Sequence, residues 1–322
     1  MIDKYNNFYK GKKVLVTGHT GFKGSWLCIW LYELGAEVIG IGLDPHSERD
    51  NFVLSGIGSK IKADIRADIR DGQRIKQIFA EYQPEIVFHL AAQPLVRLSY
   101  EQPVETYEVN VMGTIHVMEA IRATKSVKVG IMITTDKCYD NKEQMTGYKE
   151  DDPFGGYDPY SSSKGACEIA IQSWRRSFFN PDDYGKKHTV SLASVRAGNV
   201  IGGGDWALDR IIPDCIRALE TTKVINIRSP KAIRPWEHVL EPLFGYMLLA
   251  QKMWDNPTEY CEGWNFGPEA DSVMTVWEVA SAIVGNFGYG ELKDVSVPNA
   301  LHEANLLMLN IDKAKARLGW LP

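Results

Sequence analysis

Tyr160 and Lys164 stand four residues apart at the head of a stretch with helical apolar spacing, so on a helix both side chains leave from one face. An ammonium beside a phenol stabilises the phenolate and draws its pKa down from about 10. That makes Tyr160 a candidate base for a sugar or alcohol hydroxyl. Thr135, at the end of an upstream apolar run, can share a hydrogen bond with the same substrate oxygen. A Tyr–Lys helical pair by itself is usually no more than a solvated surface pair. A second constellation changes its meaning: Gly18, His19, Thr20, Gly21, Phe22, Lys23 and Gly24 follow the apolar run 14–17 and precede a helical stretch at 26–34. Strand, glycine turn and helix in that order make a phosphate-binding turn, because the backbone can bend sharply and aim free N–H groups at an anion. A phenol base and a dinucleotide turn on one chain point to hydride chemistry.

These residues need a scaffold, and the chain supplies one. Apolar runs at 38–43, 86–91, 129–135 and 190–197 are strand-like, and the segments between them have helical spacing, with 106–123 and 161–179 as clear crossover helices. Such alternation predicts an α/β fold, a Rossmann-type doubly wound parallel sheet with helices on both faces. After 201 the regularity breaks into Gly202, Gly203, Gly204, several prolines and short mixed elements. The expectation is therefore an NAD-binding domain over 1–197, to which 236–256 returns, and a smaller substrate-binding α/β lobe over 198–322. Ligand should sit between them, beyond the carboxyl ends of the strands. Asp44 lies about twenty residues past the glycine turn, where a carboxylate bonds a ribose 2′-hydroxyl and favours NAD over NADP. The alternative is that it only opens the Asp44-Pro45 turn. Leu90, Ala91 and Ala92 close the next strand with small side chains that let a cofactor lie against backbone, or that simply pack. His19 and Lys23 face either the pyrophosphate or solvent.

The G-x-x-G-x-x-G spacing with a downstream Tyr-x-x-x-Lys resembles the short-chain dehydrogenase/reductase superfamily. The segment Thr134-Thr135-Asp136-Lys137-Cys138-Tyr139 resembles the Ser-Thr-Asp-Glu-x-Tyr segment of its extended branch, the sugar-nucleotide 4,6-dehydratases of the NAD-dependent epimerase/dehydratase family, with Lys137 where those carry Glu. Further matches run from Arg196 to Asn199, Gly202 to Trp206, Arg234 to His238, Trp264 to Pro268 and His302-Glu303-Ala304, and so span nearly the whole chain.

The resemblance implies NAD as cofactor, with Asp68 and Ile69 at the adenine, and CDP-glucose as substrate, for deoxysugar biosynthesis of the O-antigen type. It implies that Tyr160, helped by Lys164 and Thr135, takes the proton of the 4-hydroxyl, and that Asp136 protonates the departing 6-hydroxyl. Lys137 is either the base at C5 or a stabiliser of enolate charge. Arg234, Arg196, Asn199 and His238 are the candidate substrate contacts, with Arg210 or Arg228 as substitutes. Trp206, Trp236 and Trp264 stack on a base or fill the smaller lobe. Relatives pair helices like 106–123 and 161–179, which implies a homodimer or homotetramer, and relatives follow a segment like 316–322 with another helix. Another nucleotide-sugar dehydratase, a 4-epimerase and a non-enzymatic NAD-binding regulator stay open as alternatives. Asp136 favours dehydration over epimerisation, and the intact Tyr–Lys pair speaks against a regulator.

With 322 residues, 44% apolar and 24% charged, and a formal net charge of -5, the composition is ordinary for a soluble globular enzyme. No basic surplus suggests nucleic acid. Five scattered cysteines without Cys-x-x-Cys spacing predict free thiols in a reducing cytoplasm, with no disulfide framework or metal site. The opening residues lack an apolar signal core and no membrane-length apolar run occurs, so a soluble, cytoplasmic protein without a membrane partner is expected.

Overall fold

The computed structural model describes residues 5, 7–144, 146–269, 272–297 and 306–322. In chain order the first part comprises β1 (Lys13–Thr17), α1 (Phe22–Glu33), β2 (Glu37–Gly42), a short α2 (Asn51–Ser55), β3 (Ala63–Arg66), α3 (Gly72–Tyr82), β4 (Ile86–His89), α4 (Val96–Glu101), α5 (Pro103–Tyr107), α6 (Gly113–Ala123), β5 (Val129–Ile133), α7 (Pro159–Ser177) and β6 (Ser191–Ala197). The remainder comprises β7 (Asn199–Ile201), α8 (Ile211–Glu220), β8 (Val224–Ile227), β9 (Ile233–His238), α9 (Leu240–Asp255), β10 (Gly263–Phe266), β11 (Val273–Thr275), α10 (Val276–Phe287) and β12 (Glu291–Asp294).

Seven parallel strands make the central sheet in the order β10-β6-β5-β4-β1-β2-β3. Val14, Leu15 and Val16 have no exposed surface, as strands covered on both faces require. One apolar layer joins α1 and α9 to the sheet, and the other joins α3, α6 and α7. Because β1 pairs with β2 on one side and β4 on the other, the order reverses there, and a crevice opens beyond their carboxyl ends.

Three features differ from the sequence expectation. The phrase at 63–66 forms an edge strand, half-buried at Ala63 and Ile65 and exposed at Asp64, and only four residues long, too short for its alternation to stand out. The stretch 106–123 is not one helix: a π-turn at Glu108–Met112 joins α5 to α6. Its wide turn brings Asn110 onto Ser163 Oγ of α7 (2.9 Å) and the Gln93 amide (2.8 Å), an arrangement of the kind that makes such turns cluster near sites. The return to the sheet also reaches beyond 236–256, since β10 supplies the edge strand beside β6.

The smaller lobe contains a three-stranded sheet, β11-β9-β7, and a two-stranded one, β12-β8, under α8 and α10. Among the described residues no helix is long and apolar enough to cross a membrane. His302, Glu303 and Ala304 lie outside the described residues.

Candidate active site

The glycine turn leaves β1 at Gly18 with φ +71°, a region that costs other residues strain. A Cβ there would lie 2.8 Å from the Ala91 amide nitrogen, and one on Gly24 would lie 2.0 Å from the Gly18 carbonyl oxygen. The first glycine thus lets the turn close on the end of β4, and the last lets α1 pack onto the turn. Gly21 caps α1 with no side chain, and the first turn of the helix carries no acidic residue. The amides there are free to receive a pyrophosphate, which the helix dipole favours.

Asp44 follows β2 as an exposed carboxylate, 2.9 Å from Arg66 Nε, in reach of a ribose. Asp68 is held by Arg70, Ile69 is buried, and Leu90 and Ala91 donate their amides to Thr17 Oγ1 at 3.1 and 3.2 Å. Ala92 is half-buried in the next residue of that segment. Neither His19 nor Lys23 faces as expected. His19 is buried beneath β2, where a Cβ on Gly40 would strike its ring at 2.2 Å, and it bonds Asp64 across 2.6 Å. Burial pulls its pKa down while Asp64 pushes it up. Lys23 turns away from solvent toward the smaller lobe and donates to the Tyr246 hydroxyl at 3.2 Å. Burial lowers it to about 8, with Glu237 as the main opposing charge.

The catalytic candidates converge at the carboxyl ends of β4 and β5. Thr135, Asp136 and Lys137 follow β5, and the Thr135 hydroxyl donates to Asp136 Oδ1 at 2.9 Å. Lys137 Nζ stands 3.9 Å from the same oxygen. Asp158 caps α7 by accepting the Ser161 amide (2.9 Å), Pro159 starts the helix, and Ser99 accepts the Tyr160 amide (3.0 Å). This places the Tyr160 phenol in hydrogen-bonding reach of Thr135, with the Asp136 charge beside it. The expected fall in the phenol pKa is outweighed: burial drives it up, Asp136 adds to the rise, and Thr135 and Arg210 pull it down. Lys164 is itself buried, and burial depresses its ammonium.

Two expected substrate contacts stand elsewhere. Arg196 is sealed in the core, bonded through Nε and Nη2 to both oxygens of Glu168 at 2.9 Å, because β6 is covered on both faces. His238 is exposed and accepts the Leu240 amide at Nδ1 (3.3 Å). Strand alternation turns its neighbour Glu237 inward instead. Asn199 Oδ1 is buried with no hydrogen-bond partner, as are Asp136 Oδ2 and both Glu237 oxygens. Arg234 lies half-buried on β9 and bonds the Ile233 carbonyl at 3.0 Å. Of the tryptophans, Trp264 is core, Trp206 carries Arg49 over its ring at 3.5 Å, and Trp236 bonds the Met274 carbonyl at 3.1 Å. Arg210 pairs with Asp205 at 3.0 Å and its charge reaches Tyr160, whereas Arg228 pairs with Asp209. Glu237 was missed because nothing short of the sheet pairing says which side of β9 faces in.

A doubly wound parallel sheet with a glycine turn at its switch point and a Thr-Tyr-Lys centre defines a Rossmann-type short-chain dehydrogenase/reductase. Within that class, residues 15–322 match the family described as GDP-mannose 4,6 dehydratase, and the chain belongs to that family. A CDP-glucose 4,6-dehydratase of Salmonella typhimurium is 51% identical over 322 residues, 100% of this chain and 89% of that protein. A GDP-mannose 4,6-dehydratase of Vibrio cholerae is 31% identical over 277 residues, covering 77% of this chain and 66% of that one. The dTDP-glucose 4,6-dehydratase DesIV of Streptomyces venezuelae, solved with NAD and TYD bound, shares the fold at TM-score 0.81 and 19% identity, over 96% of this chain and 92% of that chain.

Proposed function

We propose that this chain is an NAD-dependent nucleotide-sugar 4,6-dehydratase, a hydro-lyase whose substrate is CDP-glucose. The observation that carries the reaction class is the buried, unpartnered Asp136 oxygen in the same pocket as Thr135 and Tyr160. An epimerase needs no acid at that place. The substrate follows from likeness along the full chain to the CDP-glucose enzyme.

The glycine cradle fits the pyrophosphate of NAD, since its Cβ positions are closed to side chains and open to an anion. Asp44 suits the adenosine ribose, and Asp68 and Ile69 the adenine. Bound NAD supplies the hydride acceptor for C4 and the donor for C6. The protein's own work is with protons. Tyr160 takes the proton of the 4-hydroxyl while Thr135 holds that oxygen. Asp136 gives a proton to the departing 6-hydroxyl so that it leaves as water. Lys137, whose ammonium pairs with Asp136, balances charge developing on the sugar. Asn199 and Arg234, with Arg210 nearer to Tyr160 than Arg196 is, form the binding set for the nucleotide sugar.

An exposed apolar strip of Val104, Tyr107 and Met112, with Ile169 on the adjacent α7, supports assembly as a homodimer or homotetramer. The free thiols of all five cysteines suit a cytoplasmic setting. The test is to incubate the purified protein with CDP-glucose and, separately, dTDP-glucose, and to weigh the products. Loss of one water from CDP-glucose alone is the expected result. Loss from neither, in protein that still binds NAD, would remove the dehydratase reading.

A further inference from the structure

Asp136 and Glu237 approach each other from different lobes, one after β5 and one on β9, and Gly198 stands between them. A Cβ on Gly198 would lie 3.3 Å from Asp136 Oδ2 and 3.0 Å from Pro235 Cγ, and the Gly198 backbone also acts on Glu237. The two carboxyls are 1% and 5% exposed. Asp136 Oδ2, Glu237 Oε1 and Glu237 Oε2 are all buried without a hydrogen-bond partner. Buried carboxyl oxygens are rarely left so, and three in one place call for a use.

Four titratable groups act on Glu237: Lys23 from α1, Asp136, Glu241 from α9, and Tyr246 from α9, which feels its charge in turn. Lys23 gives its one hydrogen bond to Tyr246 and leaves Glu237 unpaired. Burial is the largest influence on Glu237 and pushes its pKa well up, the Asp136 and Glu241 charges push the same way, and Lys23 pulls it down. Elimination needs a carboxyl that arrives protonated at neutral pH. Two buried carboxyls held close meet that need, because both cannot ionise together and the pair retains one proton.

We infer that Asp136 and Glu237 are one proton-sharing carboxyl pair, in which Glu237 stores the proton that Asp136 passes to the departing oxygen. The role assigned to that proton rests on the dehydratase reading. In the step, the carboxyl O–H bond breaks as the proton joins O6. The C6–O6 bond breaks to release water, and the C5–H electron pair becomes the C5–C6 π bond as a base takes the C5 proton, which returns to C5 when hydride reaches C6. The proton taken from the 4-hydroxyl at Tyr160 equals the one lost with water, so it restores the pair at the end of the cycle.

The experiment has two arms. The first is an infrared comparison of wild-type protein with Glu237→Gln, without substrate and near neutral pH. The expected result is a protonated-carboxyl C=O band, shifted in heavy water, that Glu237→Gln abolishes and Glu237→Asp keeps. In the second arm both proteins are mixed with CDP-glucose: Glu237→Gln should still reduce its bound cofactor but release dehydrated product about a hundredfold more slowly or worse. It should also lose the limb of the pH profile that reports the acid. Absence of a Glu237-dependent band, or turnover by Glu237→Gln at the wild-type rate with an unchanged pH profile, would overturn the pairing. Should Glu237→Gln fail to fold by circular dichroism, Glu237→Asp decides the point, since a storing carboxyl retains activity there and the band persists. The infrared arm does not depend on the substrate, so failure of the dehydratase reading is distinguishable from failure of the pair.

Discussion

His89 accepts a hydrogen bond at Nδ1 from Thr17 Oγ1 across 2.7 Å. The direction follows from the other partners of that hydroxyl, which receives the amides of Leu90 and Ala91 and has only its own proton left to give. Nε2 therefore carries the ring proton and donates to Thr114 Oγ1 at 3.0 Å, whose own proton goes to the Asn110 carbonyl at 2.6 Å. This chain of bonds, which needs a neutral imidazole, forms the floor of the crevice between the glycine turn and α7.

Burial holds that neutrality, lowering the His89 pKa from 6.5 to about 3, with the Lys164 charge acting in the same direction. The unfolded chain thus binds one more proton than the folded one between those pH values. Stability from this group is present in full above the unfolded pKa and is lost as pH falls toward the folded one. The expected slope is up to about 1.4 kcal/mol per pH unit in that window. Urea unfolding midpoints of wild type and His89→Gln across acid pH check it: the difference between the two curves should vanish if His89 does not carry the slope.

The Arg196–Glu168 pair gives a prediction opposite to a substrate role. Removing one partner of a buried ion pair costs about 3–5 kcal/mol, since the other charge is stranded. Arg196→Met should lose that much in urea unfolding, while the fraction that folds binds nucleotide sugar as wild type does. Burial works against ionised Glu168, but the Arg196 charge and bonds outweigh it and hold its pKa down. The pair's contribution is thus present above the ordinary glutamate range and fades as pH falls through the folded value.

Tyr160 and Asp136 should divide the reaction. Tyr160→Phe removes the proton acceptor for the 4-hydroxyl, and turnover should fall about a hundredfold or more with little change in substrate affinity. Asp136→Asn should leave the first oxidation intact and stop water loss, so reduced cofactor accumulates in rapid mixing. If Asp136→Asn instead abolishes cofactor reduction, its separate role as the acid fails.

Gly24→Ala tests the cradle. Its Cβ would sit 2.0 Å from the Gly18 carbonyl oxygen, a backbone contact that cannot swing aside. The overpacking should cost about 1–3 kcal/mol of stability. Calorimetric titration should also show loss of NAD affinity, because α1 would be displaced from the turn.

Much of the site lies in local pattern. The glycine turn could be read because its φ demands and its strand–turn–helix setting concern neighbours in sequence, and Tyr160 with Lys164 because four residues is one helical turn. Strand–helix alternation likewise announced the parallel sheet, whose order then follows from right-handed crossovers. The edge strand at 63–66 and the π-turn inside 106–123 escaped, since neither has a local period of its own.

Contacts between distant segments were decided only by the tertiary structure. Whether Glu237 or His238 faces inward depends on β9 pairing Trp236 with Asn199 and Pro235 with Val273, a register no single strand contains. Arg196 became core because β6 lies between β5 and β10 with both faces covered. His19 left the phosphate turn for a pocket made by Gly40 and Gly42 on the neighbouring strand. The residue types and their spacing thus determined the chemistry available to this chain, and the packing of its two lobes determined which of those groups meet, because burial and partner choice belong to the assembled sheet.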